Sequence, residues 1–373
     1  MIELFEKEVS NLTKQSKRWL AIGAVCGLFF LLGVHFFSVQ HVEPAKMPKV
    51  VQSATKEDRA NIDLLIDKAH VKGTVLLIDQ GTIFYEKSYG YADQKHQKKN
   101  RNESIYPIAS LQKIITGAVV LELVKDGILT LDMTLDKFYP EIERSGQITI
   151  NDLLSHTSGI DLPEEEPEYL LKDQKSQINY ALKELTVNQN KEFLYTNGNY
   201  TLLAGIISAS LKQPYEEVIQ ERVIDKLALK HTYFWDHLPE SESLPVPYIH
   251  TTQDYQPDSF PSSKKLFSSL LGAGNMYMSV EDFWLFTQSL VNGQLYTQNE
   301  YEELAQVKKE GYRSGMIYFD NLNYSEGSLG GYNTVIYGDQ DKQRMVILFA
   351  NQSGEYGMRE LSQQLYQLLP AEE

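Results

Sequence analysis

The chain has 373 residues, 42% hydrophobic and 23% charged, a composition that excludes intrinsic disorder and allows one large domain or two small ones. Its net charge of −15 disfavours nucleic acid and other anionic polymer backbones and favours cationic partners, although solubility alone would also account for it. The single cysteine, Cys26, excludes an internal disulfide, so the fold must be held by its core.

Residues 1–18 carry Lys7, Lys14, Lys17 and Arg18, and Trp19–Val39 follows as 21 residues without a formal charge. That length is enough to span a bilayer, and the basic flank before it places the N-terminus in the cytoplasm. A cleaved signal peptide would have a shorter apolar stretch and a small-residue A-x-A site, and none occurs before Pro44. The expected organisation is a cytoplasmic tail over 1–18, a single-pass membrane anchor over 19–39, a linker over 40–55 and an extracellular domain over 56–370. An outside domain without cysteines suits a bacterial envelope that lacks a disulfide-forming periplasm.

From Lys56 to His70, Ile62, Leu64, Leu65 and Ile66 predict an amphipathic helix. Gly73–Ile78 and Thr82–Tyr89, joined at Asp79-Gln80-Gly81, read as a β-hairpin. Next comes YPIASLQKIITGAVVLE, Tyr106–Glu122, in which Ala109-Ser110 opens an apolar run of helical spacing that ends at Asp126-Gly127. Ser110 and Lys113 are three apart and share a helix face. A serine hydroxyl needs a base to become a nucleophile, and a desolvated lysine amine can serve. Alone the S-x-x-K tetrad is weak, because Ser is a preferred N-cap and Lys a common surface residue.

The segment ITINDLLSHTSGID, residues 148–161, reads as a strand end, a helical turn and a loop at Ser158-Gly159. His156 has no carboxylate or cysteine at a useful spacing, so it is read as tying backbone together rather than as a base. The acidic run Asp161–Glu168 reads as a solvated face beside a cleft. After a polar helix over 174–190, Phe193-Leu194-Tyr195-Thr196-Asn197 leads into an apolar helix, Tyr200–Leu211. On extended backbone Tyr195 and Asn197 project to one side, so a phenol and an amide could relay a proton and orient a carbonyl there. Residues 214–233 read as an amphipathic helix and turn, and 239–265 as a long loop of the kind that carries substrate contacts. A helix is predicted over Val280–Val291, strands over Gly315–Phe319, Gly331–Tyr337 and Met345–Ala350, and a last helix over Met358–Leu369. Helix, strands, a helical middle, strands and helix imply one sheet built from both ends of the chain.

There is no H-E-x-x-H, cysteine cluster or Asp-rich calcium loop, and no Walker loop; Gly272-Ala273-Gly274 lacks the third glycine and preceding strand of a dinucleotide fingerprint. No metal or cofactor is therefore expected. The absence of G-x-S-x-G removes the α/β-hydrolase reading.

Taken together, Ser110-Leu111-Gln112-Lys113, ITINDLLSHTSGID and Tyr195-Thr196-Asn197, with GAGNMYMSVEDF further on, resemble the penicillin-recognising serine hydrolases over roughly Lys56–Leu369. The closer likeness is to the class C β-lactamase-like and low-molecular-weight penicillin-binding-protein branch. The resemblance implies an α/β (α+β) fold, with an antiparallel sheet of five to nine strands flanked by helices, and a helical region with the active site between them. It implies Ser110 as nucleophile, Lys113 and Tyr195 as the proton-transfer pair and Asn197 as a substrate-orienting amide. The oxyanion would be held by the Ser110 N–H and one from a C-terminal strand.

That strand carries K-T-G or H-x-G in the family. The matching place is taken as Gly327-Ser328-Leu329-Gly330-Gly331, with Ser328 where a cation or histidine is expected and Gly330 and Gly331 lining the oxyanion side. Loss of that side chain points away from substrates with a free carboxylate, such as D-Ala-D-Ala peptides or β-lactams. It points towards D-alanine esterified to teichoic acid, which has a free amine. The expected function is thus D-alanyl ester hydrolysis on an envelope polymer. The alternatives are a D,D-carboxypeptidase or β-lactamase of the same mechanism, or a catalytically silent wall-binding scaffold.

Overall fold

The computed structural model describes residues 53–257, 263–354 and 357–370. The expected tail and anchor and nearly all of the linker lie outside these residues. Among the described residues no helix is long and apolar enough to cross a membrane.

In chain order the elements that frame the core are α1 (Lys56–Lys68), β1 (Lys72–Asp79), β2 (Thr82–Tyr89), α2 (Gln112–Lys125), α3 (Asn197–Leu211) and α4 (Val280–Ser289). They are followed by β3 (Gly311–Arg313), β4 (Met316–Phe319), β5 (Leu322–Leu329), β6 (Tyr332–Asp339), β7 (Met345–Ser353) and α5 (Met358–Gln367). Seven of the eight residues of β1 are buried. A strand turns successive side chains to opposite faces, so β1 must be covered on both. Val75 and Leu77 join the cluster formed with α1 and α5, while Leu76 and Ile78 join the larger cluster that contains α2, α3 and α4. The result is three layers, with helices on both faces of one sheet.

The sheet runs β2-β1-β7-β6-β5-β4-β3 with every neighbour antiparallel. Two short strands, Tyr248–Ile249 and Gln256–Pro257, complete nine by adding Tyr248 beside Gln352 of β7 in parallel. The segment read as a long loop thus extends the sheet. The sequence reading also omitted β5 as a strand. Its polar inner positions Asn323 and Ser325 are buried, which erases the usual alternation of apolar and polar residues.

Helix α2 shows why burial matters for the chemistry. Eleven of its 14 residues are buried, including Lys113. A helix with an apolar surface all round belongs inside a fold, and this one lies between the sheet and α3.

A second lysine is buried outside the cleft. Lys342, in the turn between β6 and β7, is fully enclosed, its Nζ 3.6 Å from Met316 Sδ. Burial pulls its pKa down to about 7, against weaker upward pulls from Asp341 and Asp339. Between pH 7 and the ordinary lysine range the unfolded chain binds this proton and the native chain does not, so stability rises with pH through that window. Lys342→Met is therefore expected to raise the thermal midpoint at pH 7, with the advantage shrinking towards pH 10. An equal gain at both pH values in thermal denaturation would show that the buried charge is not its cause.

Candidate active site

Ser110 stands in the 3-10 turn Ala109–Leu111 that feeds directly into α2. Ala109 has φ +46, a left-handed conformation that costs an alanine about 1–2 kcal/mol. One turn on, the fully buried Lys113 donates to three neutral oxygens: Ser110 Oγ at 3.0 Å, Asn197 Oδ1 at 2.7 Å and the Ala273 carbonyl at 3.0 Å. These acceptors use all three N–H groups of an ammonium and hold it towards the serine. The same Nζ lies 4.8 Å from the centre of the Tyr195 ring.

Thr196 is extended (φ −151, ψ 140) and caps α3 by accepting from the Gly198 N–H, which puts Tyr195 and Asn197 on either side of an extended residue. The Tyr195 hydroxyl donates to Ser110 Oγ at 2.7 Å. Ser110, Lys113, Tyr195 and Asn197, separated by up to 87 positions in the chain, thus form one hydrogen-bonded group.

His156 underlies this group without joining it. Buried, with φ +56, it accepts at Nδ1 from the Thr196 N–H at 3.3 Å and faces Asn199 Nδ2 at 3.1 Å, while its carbonyl accepts from Leu194 N–H at 2.8 Å. Its ring centre lies 4.5 Å from that of Tyr195. Desolvation, and then the charge of Lys113, hold its pKa well below the usual histidine range, so the ring is neutral. The H-T-S-G loop therefore braces the Tyr195 segment, as the sequence reading of His156 expected.

The C-terminal strand sits in a different register from the expected one. A Cβ added at Gly327 would lie 2.4 Å from the Ile108 carbonyl and 2.9 Å from Ser110 N, so Gly327 is the glycine that abuts the nucleophile's turn. Gly330 and Gly331 instead form the two-residue turn between β5 and β6, with Gly330 at φ +57, and Gly331 packs against Tyr248 and Pro247. In such a hairpin Leu329 and Tyr332 are the hydrogen-bonded pair, so the N–H of the preceding residue, Ser328, points away from β6. The edge it points from is open there, because β4 pairs with β5 only as far as Tyr324. Ser328 lines the cleft with Ser110 and Gly331 does not, so the N–H of Ser328 rather than that of Gly331 is the strand's candidate oxyanion donor. Counting back from Gly327 in an x-x-Gly motif, Ser325, not Ser328, occupies the place of the expected cation. Its hydroxyl donates to the Gly315 carbonyl at 2.8 Å.

Two depressions meet at Ser110. A cavity of about 130 Å³ runs past Asn197 to Glu164, Glu165 and Leu270, and among the described residues no lysine, arginine or histidine lines it. An open groove of about 1000 Å³ passes Tyr195, Tyr312 and Glu326 to Arg359. The sequence reading did not place Glu164, whose Oε1 accepts from Asn197 Nδ2 at 2.9 Å, or the Ala273 carbonyl in the site. Their only signals were proximity of the acidic run to a cleft and the small residues of Gly272-Ala273-Gly274.

A serine hydroxyl held by a buried lysine and a tyrosine hydroxyl at the edge of a cleft is the apparatus of a serine hydrolase. The chain belongs to the Beta-lactamase family, which it matches over residues 59–369. It is 28% identical to the "Putative penicillin-binding protein PbpX" of Bacillus subtilis over 331 residues, 86% of this chain and 81% of that one. It is 26% identical to the "Teichoic acid D-alanine hydrolase" of Staphylococcus aureus, over 86% of this chain and 80% of the relative. The crystal structure of FmtA from Staphylococcus aureus superposes with a TM-score of 0.74 at 24% identity, covering 88% of this chain and 94% of that one, a likeness of fold.

Proposed function

We propose that the protein hydrolyses D-alanyl esters on teichoic acid, tethered by Trp19–Val39 to the outer face of a cell membrane with its N-terminus in the cytoplasm. The carrying observation is that the place where the family binds a free carboxylate is filled by a neutral hydroxyl, Ser325, and that among the described residues no cationic side chain lines the cavity beside Ser110. The relative named as a teichoic acid D-alanine hydrolase supports the same substrate.

In this reading the Tyr195–Lys113 pair reacts in the form that lacks one proton, so that one of its two contacts to Ser110 Oγ accepts instead of donating, and it takes the serine proton as Oγ attacks the ester carbonyl. The Ser110 and Ser328 N–H groups hold the oxyanion. As the tetrahedral intermediate collapses, the polymer's alkoxide leaves with that proton, and D-alanyl-Ser110 remains. Water then gives a proton to the same pair, attacks the acyl carbonyl and frees D-alanine and the Ser110 hydroxyl.

Arg359 at the far end of the open groove favours a second reading, a D,D-carboxypeptidase in which that guanidinium takes the carboxylate. The two are separated by D-alanine release from D-alanylated lipoteichoic acid and, separately, from a D-Ala-D-Ala pentapeptide, each with a Ser110→Ala control. Release from the polymer alone is expected. Release from the peptide alone would replace the esterase by the carboxypeptidase, and release from neither would favour a silent scaffold.

A further inference from the structure

The three carboxylates Glu164, Glu165 and Glu166 differ in what already occupies them. Glu166 is committed to the Lys265 ammonium at 2.7 Å and to the Ser263 hydroxyl, and these partners lower its pKa. Glu164 turns the other way, to the place beside the nucleophile where the cavity meets the open groove, and accepts from the side-chain amide of Asn197. Among the described residues it has no cationic partner. Asn197 in turn gives its oxygen to Lys113, so both ends of this amide are fixed and its donor end holds the carboxylate in place.

The cavity suits a small group with one positive charge. Its volume of about 130 Å³ accommodates a small acyl group, Leu162 and Leu270 offer apolar contact for a methyl, and Glu164 and Glu165 are its charged lining groups. An anionic acyl group would be repelled there, and a neutral one would leave the Glu164 carboxylate without a counter-charge. We propose that Glu164 binds the α-ammonium of the substrate's acyl group and so selects aminoacyl over plain acyl esters. The inference rests on the D-alanyl reading of the site and names the residue that recognises the group being transferred. Polymer phosphates and the rest of the leaving group would lie outside this cavity, along the open groove.

The test uses the full chain in detergent and two small esters, the phenyl ester of D-alanine and that of propionic acid, which differ only by the amino group. Phenol release gives kcat/KM for each. The wild type is expected to prefer the alanyl ester, and Glu164→Gln, which keeps an oxygen for Asn197, to cut that preference by about 10- to 100-fold, the worth of a hydrogen bond to a charged group. Equal losses on both esters would make Glu164 only a support for Asn197 and overturn the inference. So would an unchanged preference, or its loss in Glu165→Gln instead. Failure on lipoteichoic acid with a Glu164-dependent preference between the small esters would sink the polymer substrate and leave the ammonium subsite standing.

Discussion

Ser110→Ala is expected to lower kcat for phenyl ester hydrolysis by at least about 10³-fold and to leave the fold intact. The hydroxyl is the one atom that both Lys113 and Tyr195 address, at 3.0 and 2.7 Å, so its removal takes away the reacting atom and leaves the proton acceptors with nothing to activate. The structural cost is small by comparison. Lys113 keeps Asn197 Oδ1 and the Ala273 carbonyl, and the loss of one hydrogen bond is worth about 1 kcal/mol. Kinetics and thermal denaturation of the same preparation separate the two effects. Full activity in the variant would remove Ser110 as nucleophile, and gross unfolding would show that the hydroxyl supports the burial of Lys113.

Gly327→Ala is the second large effect, and it tests the register of the oxyanion strand. The added methyl would meet the Ile108 carbonyl at 2.4 Å, Thr334 Oγ1 at 2.8 Å and Ser110 N at 2.9 Å. Two of these are backbone atoms, so strand and turn must part by a substantial fraction of an ångström. That movement carries the Ser110 and Ser328 N–H groups out of convergence, and loss of one oxyanion donor costs about 10²–10³-fold in kcat. Gly331→Ala also crowds backbone, at 2.8 Å from the Tyr248 carbonyl, but at the hairpin turn rather than beside Ser110. It should lower stability with a much smaller fall in kcat. A larger catalytic loss at Gly331 than at Gly327, measured on the phenyl ester, would restore the register expected from sequence.

The difference between what could and could not be read beforehand follows from how each feature is encoded. Ser110 and Lys113 are a local spacing on one helix, and Tyr195 and Asn197 a local spacing on one extended residue, so each pair was visible alone. The sheet was legible at β1, β2, β6 and β7, where apolar and aromatic residues dominate. β5 was not, because Leu322–Leu329 presents Asn323, Ser325 and Gly327 at buried positions and resembles a polar loop. With no strand to count along, the third motif was placed on the conspicuous glycine pair, which in the fold makes the turn. Glu164 was hidden for another reason. Its link to Asn197 crosses 33 residues, and nothing local separates it from its acidic neighbours.

The sheet also sets when the site can come into being. β1 lies directly against β7, with Val75 opposite Leu348, so a strand near the start of the domain is closed by one of the last segments of the chain. The strand that faces Ser110 is itself held between β4 and β6, both C-terminal. Contacts between such distant parts of a chain form slowly, because a long loop must close before any of its pairing is gained. A nascent chain that has extended as far as Asn197 carries all four polar side chains of the catalytic group, and β2 beside β1, but neither the strand opposite Ser110 nor β7, the C-terminal partner of β1. Competence is therefore withheld until the polypeptide is nearly complete, and a chain ending before β5 carries a nucleophile with no cleft to work in.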